Sequence, residues 1–235
     1  MRKGQADIIS VLLIFLISLG LVATILYFVI PYLGRSNDLT KLKSVSDLFN
    51  PDPQFSGSIV NVIKKVVSQG SEETITLPPN VIGKWELVCD DPSDPYNFSK
   101  NYVQLTVPLS ATDVPLDCSN PSIGCGWIPV NTFNNQTTAT LGIDNAAVVY
   151  ERADKVGSGY NVTFRAWFRQ LNISDYDYNK NSLAMKDSSL NPPKNCTAEN
   201  PIRSTSSSIR ISKGSDISST FLGRTLLLTQ VKFVI

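Results

Sequence analysis

The residues able to do chemistry in this chain are few. Cys89, Cys118, Cys125 and Cys196 are its four cysteines, and none forms a C-x-x-C pair. They therefore lack the spacing of a zinc site and read as disulfide partners. Four cysteines allow three pairings, and sequence alone does not choose among them. The expectation taken forward is Cys118 with Cys125, closing the Ser-Asn-Pro-Ser-Ile-Gly loop, and Cys89 with Cys196, pinning a long loop to an early strand. Each bridge is worth on the order of 2–4 kcal/mol. Five Asn-x-Ser/Thr sequons, at Asn97, Asn135, Asn161, Asn172 and Asn195, are candidate glycan acceptors. Disulfides and glycans both belong to an oxidising, extracellular compartment.

Other chemistry is sparse. The sequence has no histidine, which removes the usual general base near neutral pH and the commonest transition-metal ligand. It carries no G-x-S-x-G, P-loop or H-E-x-x-H motif. Gly157-Ser-Gly159 precedes a strand rather than a helix, so it reads as a turn and not a phosphate cradle. Asp90, Asp91 and Asp94, and separately Asp175 and Asp177, offer oxygen ligands, but without EF-hand spacing their commoner role is in solvated loops. Trp85, Trp127 and Trp167 suit a carbohydrate platform or, more often, packing. With 21 basic and 20 acidic residues and a formal charge of +1, nothing argues electrostatically for nucleic acid. The expectation is a protein that is not an enzyme and has no catalytic residues, no metal and no cofactor.

The elements that must position these residues divide the chain in two. From Ile8 to Leu33 the run is apolar and uncharged, interrupted by Ser10, Ser18 and Thr24 as its polar positions. At about 1.5 Å per residue it is long enough to cross a hydrocarbon core of about 30 Å. It has no polar face, unlike the surface helix of a soluble domain, and it is longer than the apolar part of a secretory signal peptide. Pro31 lacks a backbone donor and crowds the carbonyl of Tyr27, so a kink is expected there, with Gly34 as a break. From Ser36 to Phe49, Leu39, Leu42, Val45, Leu48 and Phe49 recur at helical spacing, marking a second, amphipathic helix that packs on the head. Asn50-Pro-Asp-Pro53 ends it. Ile59 to Val67 fits a short helix and also a strand; helix is the expectation.

Beyond Gly70 the pattern is β. Strands are expected at 74–77, 84–89, 102–109, 138–143, 146–151, 160–169, 208–212 and 224–235, with a long surface loop over 188–207. Tyr160, Val162, Phe164, Ala166 and Phe168 alternate with polar or outward residues, which places Asn161 on the wet face. Strands without interleaved helices predict an α+β protein: a long N-terminal hydrophobic α-helix followed by an antiparallel β-sandwich head, Ig-like or a partly open barrel.

The N-terminus carries a more specific signal. Lys3-Gly4 followed by Gln5-Ala6-Asp7 and the long apolar helix resembles the class III signal peptide of type IV pilins, especially archaeal pilins and archaellins. Bacterial members usually carry a glutamate two residues further into the mature chain, whereas the acid here is Asp7. The resemblance covers roughly the first 35 residues. It implies a leader over 1–4, cut between Gly4 and Gln5 by a prepilin peptidase; a helix over 5–49 that serves as membrane anchor and then filament core; and an extracellular head over 50–235. It also implies a homopolymer of this chain, an assembly ATPase and a membrane platform. Asp7 would then neutralise the new ammonium on Gln5 at the positive end of the helix dipole; as an ordinary anchor residue it would only start the helix in the headgroup region. Two functions follow as expectations: a structural subunit of an extracellular type IV pilus-like filament, held in the cytoplasmic membrane before assembly, or a single-pass membrane-anchored extracellular binding protein with a β-sandwich head. The basic residues Arg2 and Lys3 suit the cytoplasmic end.

Overall fold

The computed structural model describes residues 3–88, 102–113, 116, 118, 124–130, 149–167, 182–187, 201–221 and 224–235. Its first feature is a helical rod: α1 (Lys3–Thr24), a π-helical turn (Ile25–Val29) and α2 (Ile30–Phe49) follow without interruption. At about 1.5 Å per residue the rod is roughly 70 Å long. The expected break at Gly34 does not occur, because α2 runs through it. The irregularity sits one turn earlier. The N–H of Ile30 reaches back five residues to the carbonyl of Ile25, and this wider turn gives the Pro31 ring space that a regular turn around the Tyr27 carbonyl would deny it.

The helix α3 (Ile59–Gln69) is capped at both ends. Ser58 Oγ accepts from the N–H of Asn61 at 3.3 Å, and Gly70 closes the helix at φ 71°. Its apolar residues Ile59, Val60, Val62, Ile63, Val66 and Val67 are all buried. Asn61 Nδ2 also donates to the carbonyls of Asp52 (2.7 Å) and Phe55 (3.0 Å), holding the turn between α2 and α3 in place.

Ten strands follow among the described residues: β1 (Glu72–Thr76), β2 (Lys84–Val88), β3 (Tyr102–Leu109), β4 (Gly124–Pro129), β5 (Val149–Val156), β6 (Gly159–Trp167), β7 (Ser182–Asp187), β8 (Ile202–Ser204), β9 (Ser208–Phe221) and β10 (Arg224–Val234). They make a six-stranded antiparallel sheet in the order β4-β5-β6-β3-β2-β8 and a four-stranded sheet in the order β1-β9-β10-β7, in which only β7 runs parallel to its neighbour. The fold is thus α+β, a long apolar N-terminal helix followed by essentially antiparallel sheets. α2 packs on the six-stranded sheet and α3 on the four-stranded one, with the two helices in contact. One core joins all of them, with Phe49, Ile63, Trp85, Leu105, Phe164, Ile211 and Phe233 fully buried or nearly so.

The inward half of the expected alternation in β6 holds, since Tyr160, Val162, Phe164 and Ala166 are buried. The outward half does not, because Thr163 is also buried against Thr106, their hydroxyls 3.0 Å apart, and Asn161 and Arg165 are half-buried rather than wet. β4, β7 and β8 had no counterpart in the periodicity, and β9 extends well past 212. The strand expected over 138–143, and residues 188–200 of the expected long loop, lie outside the described residues.

β4 begins at Gly124 with φ 103°, where a Cβ would run into the carbonyl of Ala153 on β5. Gly124→Ala should therefore destabilise the domain by roughly 2–4 kcal/mol, combining the cost of a left-handed backbone with that of a steric clash. The shift in urea midpoint measures it. A midpoint unchanged from the parent would show that β4 relaxes freely.

Candidate functional site: the apolar rod and its junction with the head

Every large apolar side chain described between Ile8 and Leu33 is exposed, from 41% at Val29 to 75% at Tyr27. The head covers none of this segment, which is long and apolar enough to cross a membrane. Two of its polar interruptions are satisfied within the helix: Ser18 Oγ donates to the Ile14 carbonyl and Thr24 Oγ1 to the Gly20 carbonyl, each at 2.8 Å. Such back-bonding hydroxyls need no partner from outside, which suits lipid or a bundle of other helices. Lys3, Gly4, Gln5 and Asp7 lie in the helical backbone at the start of α1.

Asp38 is 1% exposed. Its Oδ2 accepts from the Ser110 N–H (2.8 Å), the Ser110 hydroxyl (2.9 Å) and the Ala111 N–H (2.8 Å), just past the end of β3. Its other oxygen faces Lys41 Nζ at 3.4 Å. One turn earlier, Arg35 pairs with Asp113 at 2.8 Å across an exposed surface, a contact worth little by itself. At the far end of α2, Phe49 stacks on Trp85 and Phe164, with ring centroids 6.3 and 5.7 Å away.

These contacts fix the direction of the rod. Trp85 and Phe164 both sit opposite Leu105 of β3, while Asp38 sits at Ser110. The distance from Leu105 to Ser110 along an extended strand is about 17 Å, and that from Phe49 to Asp38 along a helix is about 16 Å. α2 therefore lies alongside β3 and antiparallel to it, and the rod leaves the head past the sheet end formed by Leu109–Ala111. Leu39, expected on the packed face, is 44% exposed, because the inward position on that turn belongs to Asp38.

The other candidate residues scatter. Cys118 and Cys125 are bonded, with Cα atoms 5.2 Å apart, and closing so short a loop is worth about 2–3 kcal/mol. Cys89 and Cys196 lie outside the described residues, as do Asn97, Asn135, Asn172, Asn195, Asp90, Asp91, Asp94, Asp175 and Asp177. Asn161 is half-buried in mid-sheet, between Pro108 and Asp154. The side chain of Trp167 lies outside the described ones. Trp85 and Trp127 do not share a platform: Trp85 is fully buried and donates through Nε1 to the Ser206 carbonyl at 3.1 Å, while Trp127 lies on the opposite face beneath two arginines. There the Arg165 guanidinium stands 3.8 Å from the Tyr102 ring centre and 4.5 Å from that of Trp127, and Arg152 stands 4.8 Å from Trp127. Gln104 Oε1 accepts from Arg165, and Glu86 accepts from Tyr102, Gln104 and Arg203. This network knits the outer face of the sheet. Among the described residues no group of three or more His, Cys, Asp or Glu side chains is placed to hold a metal ion.

Glu151 is the one inward-facing carboxylate of β5, set opposite Phe164 and Ile128. Burial pushes it up to about 7. Between its unfolded value near 4.5 and about 7 the folded state binds the extra proton, so stability falls as pH rises through this window and levels off above it. Glu151→Gln should flatten that slope and stabilise the protein at pH 8 by about 2–3 kcal/mol. Chemical denaturation at pH 5 and pH 8 tests this, and a slope unaltered in the variant would assign it to other groups.

The class is set by these features: an α+β protein in which a long apolar helix, one such helix among the described residues, is docked by its C-terminal half and projects from a β-rich head. Comparison with protein-family models, curated proteins and solved structures gives no match to this chain. Asp38, the residue that aims the rod, had no sequence signal beyond an acid on an amphipathic helix.

Proposed function

We propose that the protein is a structural subunit of an extracellular type IV pilus-like filament, polymerising through α1 and the start of α2 once a leader ending at Gly4 is removed. The observation that carries this reading is the contrast within one continuous helix: an apolar half wholly uncovered by the head, and a half anchored by Asp38 and Phe49. A flexible tether would suffice for an anchor. A rod held at a fixed angle to its head suits a lattice, in which every subunit must present the same shape. The Cys118–Cys125 bond supports an oxidising location for the head.

Before assembly the rod resides in the membrane. Transfer from lipid to a bundle of similar helices gains little hydrophobic energy, since lipid tails are already apolar, so assembly calls for the ATPase and platform that the resemblance implies. Outside the membrane the same rod would face water at a cost of roughly 1.5–3 kcal/mol for each large side chain, which makes dissociation very unfavourable. Immunogold microscopy of sheared cell-surface material tests the proposal. Labelling along filaments is expected; label confined to the membrane fraction would instead make the protein an anchored single-pass binding protein.

A further inference from the structure

We propose that the end of the head from which the rod emerges is a membrane-contact surface, with Ile82 and Val156 seated in the headgroup layer and Lys84 and Lys155 against lipid phosphates. Leu33, the last residue of the apolar run, is five residues before Asp38, or about 7.5 Å along the helix. The headgroup region on each side of a bilayer is itself only about 5–8 Å deep. A rod spanning the hydrocarbon core therefore brings the sheet end at Ser110 and Ala111 down onto the headgroups. Tyr32 is 72% exposed at that level, where amphipathic rings favour the interface.

The register shows what else lies at that end. Tyr160 pairs with both Leu109 and Lys155, and Val156 and Gly159 form the next rung outward. A Cβ on Gly159 would meet the Leu109 carbonyl, so the turn of the β5–β6 hairpin sits against the strand end that binds Asp38. Lys84 faces Thr106, which sets Ile82, two residues upstream, level with the exposed Pro108. Ile82 is 78% exposed and Val156 55%. These are the two large aliphatic residues of the described head that stand out in water, and both fall at the rod's exit. Lys84 and Lys155 beside them are exposed. The described acids nearby are neutralised: Asp113 pairs with Arg35, Asp154 with Arg152 and the buried Asp38 with Lys41. Apolar tips flanked by lysines match a phospholipid surface, in which the tips enter the acyl boundary and the ammonium groups meet phosphates.

The inference rests on the membrane stage of the proposed function and not on filament assembly, so a chain that never polymerises still tests it. The full chain, reconstituted in vesicles of phosphatidylcholine with phosphatidylglycerol, would carry photoreactive p-benzoylphenylalanine in place of Ile82, of Val156 or of Gln54. Gln54 is exposed beyond the opposite end of α2. Irradiation is expected to give lipid adducts, read by intact mass, at 82 and 156 at about ten times the yield at 54. The paired change Lys84→Glu and Lys155→Glu should lower the adduct at 82 several-fold in the anionic vesicles and leave it unchanged in pure phosphatidylcholine. Equal yields at 82, 156 and 54 would overturn the proposal. Protein–protein adducts in place of lipid adducts would overturn it as well, assigning the surface to a second copy, and an adduct insensitive to the lysine changes would refute the phosphate contact.

Discussion

Asp38→Ala is expected to lower the stability of the head by about 3–5 kcal/mol and to free the rod at its base. The alanine leaves the Ser110 and Ala111 N–H groups without an acceptor in a site that is 1% exposed, and each orphaned donor costs roughly 1–3 kcal/mol. Lys41 also loses its partner. For a protein of this size the loss corresponds to a fall in melting temperature of roughly 10 °C. Asp38→Asn keeps an acceptor oxygen and should recover much of it. Scanning calorimetry of the detergent-solubilised chain reads the stability, and spin-label distances between the rod and the head read the angle. A melting temperature within a degree of the parent would mean that Asp38 does not hold the junction.

The second large effect belongs to the rod. Leu16 is 65% exposed in mid-run. In a bilayer a single charge at the helix centre costs about 2.5–3.5 kcal/mol, which the remaining apolar residues outweigh. In a dry bundle of like helices an unpaired carboxylate has no compensating partner, and every subunit brings one. Leu16→Glu should therefore leave the protein in the membrane at about its normal level while abolishing filaments. Leu16→Met, similar in volume, should still assemble. Membrane fractionation and microscopy of the same cells give both readings. Normal filaments built from Leu16→Glu would exclude a close-packed core at this position.

The rod was legible because composition alone decides it. Any helix of that length with so few polar residues must find an apolar environment, whatever its neighbours. The long strands β3 and β6 were legible through their periodicity, whereas the apolar pattern of Ile59 to Val67 fitted a helix and a strand alike, and the caps at Ser58 and Gly70 are what close it as α3. Elements defined by their partners were not. Gly124–Pro129 has the glycines and proline of a turn, yet pairs as an edge strand on β5, with a bulge between Cys125 and Ile128. The polar stretch Lys213–Thr220 has no apolar alternation and becomes strand because β10 supplies its hydrogen bonds. Pro31 announced a distortion correctly in kind, but the strain is relieved in the preceding turn while Gly34 stays helical. Asp38 and Glu151 illustrate the deeper limit. Both are ordinary acids in the sequence, and only the tertiary fold gives one a cradle of donors and leaves the other opposite Phe164, partly shielded from water.

The most direct measurement of filament assembly is the mass of the chain recovered from sheared cell-surface filaments. A chain beginning at Gln5 and present as the repeating component is the predicted result, with the head intact and Cys118 bonded to Cys125. A chain retaining Met1, found in membranes and absent from filaments, would contradict it.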